Sequence, residues 1–462
     1  MEFYLIVVAL AFPFLYFVFR ALIWDTFIWI MVVPVACYLY AFALRLQGMR
    51  FLNYHLNSLD KIFLLYLTHG VVITFIGVVI MGYGTRLGIT PFIHYYLPTV
   101  IYFVARSYTK SSGGNVFGLA KIMWVLAIIL IVDVFVEYYI VEVKELPLSI
   151  PWVRLEADKI PNMTPEIWHE LSFGKVLSIL SGRKITGMVA ISLFAFILPF
   201  FYVRKSRLRQ SGWQRSVIFN SALNAVILAS LLICAFIALN KTAIMASLVV
   251  VAIGLIYTRS FKLLALLSIV SLIGAAVSHE FLWQLIQHNF IREFAFGDPE
   301  NPKTVLEHTI GLDRIRDGYL NIELSRLILG TYGAPTELQS NFFISTFTTE
   351  LRAFIYPSVF GLGWALIVSA GLIVMVRYSY ALIKTPNAKL LGLAFLGLLI
   401  IFATDLHYPS FIVHGPLELL FVTAGGLASL RDSVKNGAQS TNLSAPVHGP
   451  LLSTARAPGT GP

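Results

Sequence analysis

The chain has 462 residues, of which 58% are hydrophobic and only 13% charged, with a mean hydropathy of +0.79. That balance leaves too little polar surface to clothe a soluble protein. The formal charge of +10 therefore speaks to which side of a membrane the loops face, and not to nucleic acid. The apolar runs are about 20 residues long, the length of a helix that crosses a bilayer core, and they lack the alternation of a membrane barrel. The expected fold is all-α, a polytopic helical bundle over 1–435 with two enlarged external loops.

The first run, MEFYLIVVALAFPFLYFVF, has no basic residue before it and no small-residue cleavage site, so it reads as a retained first span and not a signal peptide. About twelve spans follow from hydropathy, centred near Leu10, Val35, Val72, Val100, Ile128, Phe194, Ile227, Val250, Ser271, Val368, Leu398 and Leu420. Alternate connections carry clusters of Lys and Arg with almost no acids: Arg45, Arg50 and Lys61; Arg106, Lys110 and Lys121; Arg204 to Arg215; Arg259 and Lys262; Arg377, Lys384 and Lys389; Arg431 and Lys435. This is the positive-inside pattern, which makes those connections and both termini cytoplasmic. The outward set then comprises the long loops 142–183 and 279–352 and the shorter DLHYPSFIVHGP.

Cys37 and Cys234 both fall in apolar runs and read as small buried hydrophobes. In the fifth span, Asp133 and Glu137 stand at i and i+4, on one helical face, near the outer end. Two carboxylates in hydrocarbon are costly, so they should face a cavity or a cation such as Arg183 or Lys241. They serve either as a proton acceptor or as structural partners of that cation.

Loop 142–183 runs into SGRKITG, placing Arg183 and Lys184 at the outer mouth of the sixth span. There a guanidinium can grip a lipid phosphate or pyrophosphate, or simply snorkel as a helix-end anchor. Lys241, in ALNKTAI between two spans, has the same two readings.

The loop 279–352 is charged and punctuated by Gly and Pro, and a loop of this size on one face is a candidate for handling an anionic substrate. Within it LDRIRDGYLNIELSRLILG can be drawn as an amphipathic helix, with Leu312, Ile315, Tyr319 and Ile322 on one stripe and Arg314, Asp317, Asn321 and Ser325 on another. Arg326 falls in its last turn and Gly330 is its stop. The arginines face either a pyrophosphate or the nearby Asp313, Asp317 and Glu323 in a surface ion-pair network.

The histidines form no metal constellation: His279-Glu280 begins a zinc-protease spacing, but Trp283 stands where the second ligand belongs, and His407 and His414 flank a loop broken by Pro409. No GxxxxGK phosphate loop is present, which disfavours ATP-driven transport within this chain. Residues 436–462, rich in Ser, Thr, Ala, Gly and Pro, are expected to be a disordered cytoplasmic tail.

With these residues in view, the chain resembles the bacterial O-antigen polymerase (Wzy-type) and O-antigen ligase group. The resemblance covers 175–201, with its SGRKITG, and 311–364, where Arg314 or Arg316 is followed by Tyr319, then Gly330 with Gly333, then Ser340-Asn341 before the next span. The ALNKTAIMASLVVVAIGL segment also matches in kind. Ligases place a histidine directly before that asparagine, and Ser340 stands there in this chain, which favours polymerase.

The resemblance implies a GT-C-like membrane glycosyltransferase of the bacterial inner membrane, with its active face periplasmic or extracellular. It implies transfer from one undecaprenyl-pyrophosphate-linked oligosaccharide to another, yielding a surface polysaccharide or exopolysaccharide. Arg183, Arg314 and Arg316 would stabilise the departing pyrophosphate, and Asp313, His308 or Glu350 would serve as general base. Lys184, Lys241, Arg326, Tyr319, Asn341, Asp133 and Glu137 would line the substrate path. No metal or other cofactor is implied, and the partners would be the lipid-linked donor and acceptor, membrane lipids, and a chain-length regulator and flippase of the same pathway. The rival reading from another class, a lipid-linked oligosaccharide flippase, predicts related halves, charges near the midplane and modest loops.

Overall fold

A computed structural model describes residues 2–7, 10, 56–80, 82, 89, 92–111, 117–140, 183–201, 221–238, 241–258, 320, 324–330, 357, 360–385, 389–404 and 416–435. Among the described residues every regular element is helical. The expected span centres Val72, Val100, Ile128, Phe194, Ile227, Val250, Val368, Leu398 and Leu420 each fall within a described helix, whereas Val35, Ser271, Cys37 and the tail 436–462 lie outside the described residues.

Among the described residues three helical stretches, Ser58–Ile80, Leu119–Tyr138 and Leu362–Ile383, are long and apolar enough to cross a membrane, and shorter apolar helices occupy Thr186–Pro199, Ala222–Ile237 and Leu391–Phe402. The chain is thus a helical membrane protein.

Helix α1 (Ser58–Phe75) starts at a reciprocal cap. The Asn57 side chain accepts from the Leu59 and Asp60 amides, and the Asp60 carboxylate accepts from the Asn57 amide at 2.7 Å, satisfying donors that a helix start leaves orphaned. The helix continues as a π turn over Ile76–Ile80. The next span is not one continuous α-helix. It begins as a π turn (Phe92–Tyr96), tightens to a 3-10 turn (Leu97–Thr99) and becomes α2 (Val100–Ser111). Pro98 sits at the start of the 3-10 turn and supplies no amide to a regular ladder. An irregular backbone at such depth is tolerated where protein covers it, and Tyr96 to Thr99 are buried.

Helix α3 (Phe117–Tyr138) exposes Val125, Ile129, Val132 and Val136 along one stripe and buries Met123, Ala127, Leu130 and Val134 along the other. Its exposed stripe is as apolar as its buried one, as a lipid-facing helix requires. Helix α4 (Arg183–Phe201) is the centre of the bundle, buried from Met188 to Leu198. It packs against α3, α5 (Ser221–Ile237), α6 (Lys241–Thr258), α9 (Lys389–Thr404) and α10 (Pro416–Lys435). A helix apolar on every side is stable only when so surrounded.

Helix α8 (Leu362–Ile383) lies antiparallel to α1, with Gly371 beside Ile62 and Gly363 beside His69. It packs against α9, where Ser379 Oγ donates to the Gly392 carbonyl at 2.5 Å. Helices α10 and α2 run parallel in close contact: a Cβ on Gly425 would lie 2.5 Å from the Tyr102 carbonyl oxygen and 2.8 Å from the Arg106 nitrogen, so only glycine permits this approach.

Candidate functional site

The packing sorts the polar residues into two ends of the bundle. Trp124 Nε1 donates to Asn224 Oδ1 at 3.1 Å near the starts of α3 and α5, which makes these helices parallel. Gly397 lies against both Ala195 and Val250, and the apolar cleft at that point is lined one turn further along by Leu198 and Ile253 and one turn back by Leu393, an order that fits α9 antiparallel to α4 and α6, which run parallel. The starts of α4, α6 and α8 and the finishes of α1, α3 and α5 therefore share one end.

That end collects the sequence-predicted site residues that the structure describes. Arg183 and Lys184 open α4, Lys241 opens α6, and Asp133 and Glu137 lie in the last turns of α3. Asp133 is half-buried and within electrostatic reach of Cys234 on α5, and Glu137 is buried at 4% exposure. Arg326 lies in α7 (Leu324–Leu329), which packs against α8. His308, Asp313, Arg314, Arg316, Tyr319, Asn341 and Glu350 lie outside the described residues.

What holds α7 in place is a seat that the sequence reading did not foresee. Gly330 follows α7 with φ 81°, the left-handed stop expected of it. Beside it stands Gly361 with φ 87°, packed against the Ile328 carbonyl and the Leu329 and Gly330 backbone. Two stretches of main chain touch here with no side chain between them, which glycine alone allows. Leu329 then inserts against a cluster of Tyr66, Ile73, Tyr96, Phe360 and Trp364.

The cluster is polar only at its tips, and those are paired. Trp364 Nε1 donates to Tyr66 OH at 3.4 Å, Tyr66 OH donates to the Tyr95 carbonyl at 3.3 Å, and His69 Nδ1 is 3.2 Å from Tyr96 OH. The rings of Tyr66 and Tyr96 lie 4.6 Å apart, and those of Phe360 and Trp364 5.2 Å, within the range of favourable aromatic contact. Tyr96 lies flat on Gly70, whose Cβ would fall 2.9 Å from that of Tyr96. The π turn, α1 and α8 are thereby locked together where Leu329 of α7 packs.

The opposite end holds a buried ion network. Arg106 is 1% exposed and pairs with Asp60, itself fully buried, and with Asp432. Tyr102 OH donates to Asp60 at 2.7 Å, Arg106 reaches back to Tyr102 OH at 3.3 Å, and the Asn57 amide group spans to Asp432. One guanidinium thus ties α1, α2 and α10. In the low dielectric of the interior such a network rigidifies because its members satisfy one another. Arg106 therefore corrects the simple tally of loop cations, since two acids answer it. A local signal existed: Tyr102 and Arg106 stand one helical turn apart, and Asn57 and Asp60 have capping-box spacing.

Among the described residues no three His, Cys, Asp or Glu side chains converge as metal ligands would, and Cys234 is a buried free thiol. Comparison with protein-family models, with curated proteins and with solved structures finds no match.

Proposed function

We propose that this chain is a bacterial inner-membrane glycosyltransferase of about twelve spans that joins undecaprenyl-pyrophosphate-linked oligosaccharide units into a longer surface glycan or exopolysaccharide. The observation that supports the reading is the seating of α7, in which Arg326 lies, through Gly330 against Gly361, at the bundle end where Arg183 opens α4 and Lys241 opens α6. The positive-inside rule supports the orientation. Lys61, Lys110, Lys121, Arg377, Lys384 and Arg431 belong to the Arg106 end, a cation excess that supports the reading of that end and both termini as cytoplasmic and of the α7 end as outward.

In the reaction an acceptor sugar hydroxyl attacks the anomeric carbon of the donor, the bond to pyrophosphate breaks, and the growing chain moves to the acceptor. Negative charge concentrates on the departing pyrophosphate, and fixed guanidinium groups lower the barrier by meeting it without reorganisation. Arg183, Arg314 and Arg316 take that role. Asp313, His308 or Glu350 accepts the hydroxyl proton. A pyrophosphate-activated donor carries its own leaving group, so no nucleotide enters the step.

The test is deletion of the gene in its host, with surface glycans resolved by size. The polymerase reading expects the long-chain ladder to vanish while single repeat units remain attached. Loss of all attached units indicates a ligase, and cytoplasmic accumulation of lipid-linked units a flippase; either result rejects the proposal.

A further inference from the structure

Arg431, near the finish of α10, is not answered by the acid beside it in sequence. Asp432 is engaged by Arg106 and by the Asn57 side chain. Asp60, the other acid of that network, is buried against Arg106 and Tyr102. Glu2, the remaining acid described at this end, accepts from Ser107 Oγ on α2 at 2.6 Å. Every described carboxylate here is therefore committed elsewhere, and the cations of α8 and α10 keep their excess charge.

An aromatic ring stands where the acid would be. The guanidinium carbon of Arg431 lies 5.5 Å from the ring centroid of Tyr378 on α8, within cation–π range, and Tyr378 is itself packed against the core. Arg431 Nε is buried with no hydrogen-bond partner, and among the described residues nothing accepts from the terminal nitrogens of this half-buried side chain either. A ring face attracts the charge but offers no acceptor in the guanidinium plane, so the fork of donors stays free for a ligand. Arg377 adjoins Tyr378, is exposed and meets no acid among the described residues. Lys384, two turns further along the same face of α8, stands 4.3 Å from the centroid of the Tyr380 ring. A helix-end arginine that merely snorkels is a loose chain in water; this one is fixed on a ring before any ligand arrives.

We propose that Arg431, held on Tyr378 and flanked by Arg377, is a head-group site for an acidic phospholipid, with the lipid phosphate on the open edge of the guanidinium. Planar, preorganised guanidinium groups suit phosphate oxygens, and basic pockets between membrane helices take acidic head groups. A lipid fits better than free phosphate because Ile373 and Val376, one turn before Arg377 and Tyr380, are 54% and 43% exposed on a helix apolar enough to cross a membrane. Any acyl chain can lie there; the head group supplies the selection. The site lies at the Arg106 end, away from the α7 seat, and stands or falls independently of the glycan reaction.

The experiment measures phosphatidylglycerol bound to the full-length protein, exchanged from mixed phosphatidylcholine and phosphatidylglycerol nanodiscs and read by native mass spectrometry. The unsubstituted protein should retain phosphatidylglycerol over phosphatidylcholine. Arg431→Gln should lower that retention roughly tenfold, the effect of losing a charge-assisted hydrogen bond. Tyr378→Leu should lower it as well, whereas Tyr378→Phe, which keeps the ring, should not. Lys61→Gln removes an exposed cation of α1 at the same end and should leave retention unchanged. Thermal unfolding of each variant checks that it is folded. In the unsubstituted protein, a phosphatidylglycerol with a photoreactive head group should label peptides spanning 377–384 and 431–435.

Equal losses in Arg431→Gln and Lys61→Gln would mean general attraction to a basic surface and overturn the proposal. So would retention that survives both Arg431→Gln and Tyr378→Leu, or a label that maps elsewhere. Displacement of the lipid by millimolar inorganic phosphate would make this a site for the free anion and overturn its assignment to a lipid.

Discussion

Gly361→Ala is the substitution that bears most directly on how the arginine-bearing segment is held. Gly361 has φ 87° and ψ 161°, a region that only glycine populates freely, and forcing a side chain into it costs about 1–3 kcal/mol. The added Cβ would also stand 2.9 Å from the Leu329 carbonyl carbon and 3.1 Å from the Gly330 nitrogen, with the Ile328 carbonyl oxygen nearer still. These are main-chain atoms, which cannot rotate away as a side chain would. Strain and overlap together amount to about 3 kcal/mol, roughly a hundredfold shift toward the undocked segment. Hydrogen–deuterium exchange of 324–330 in nanodiscs reads this directly, and chain extension should fall with it. Gly82→Ala is the matched control: its φ is also positive, at 68°, but nothing lies within 4 Å of the added Cβ. It should carry the backbone strain without releasing α7. If Gly361→Ala leaves exchange and extension where Gly82→Ala leaves them, the seat is not what positions the segment.

Arg106→Met should lower stability by about 3–5 kcal/mol, because it strands the buried Asp60 carboxylate. Adding Asp60→Asn and Asp432→Asn should recover much of that loss, and thermal unfolding in detergent measures both. An unchanged melting temperature for the single variant would remove the network from the account of stability. Cys234 is fully buried on α5, so in intact membranes a maleimide should leave it unmodified until the protein is unfolded in detergent. Modification of Cys234 under native conditions would contradict the packing of α4 against α5.

The all-helical bundle was legible because apolar runs of spanning length admit few other folds, and Gly330 was legible as a stop because a glycine just past an amphipathic run has one common use. The break before α2 was not foreseen. Val100 reads as the centre of an ordinary span, and Pro98 becomes informative only once Tyr96 is seen lying against Gly70 and Tyr66. Asp60 and Asp432 were passed over for a different reason. Each adjoins a cation, Lys61 and Arg431, and sequence proximity suggests that local pair, whereas the partner that both acids meet is Arg106 on another helix. Asp133 and Glu137 were legible as a pair near the outer end of their span, with Arg183 or Lys241 as the cation they could meet, and the order in which α3 to α6 and α9 pack brings the helix ends that carry all four to one end of the bundle. Arg314 and Arg316 lie outside the described residues and rest on the resemblance alone.

The most direct test of the central proposal is chain extension by the purified full-length protein in nanodiscs, supplied with undecaprenyl-pyrophosphate-linked repeat units and nothing else. The account predicts a ladder of longer lipid-linked glycans with release of undecaprenyl pyrophosphate. Arg183→Ala and Arg316→Ala should each remove that ladder while remaining folded by thermal unfolding. A ladder that persists unchanged in both folded variants would contradict the assignment of the leaving-group site, and its absence from the unsubstituted protein would contradict the polymerase reading itself.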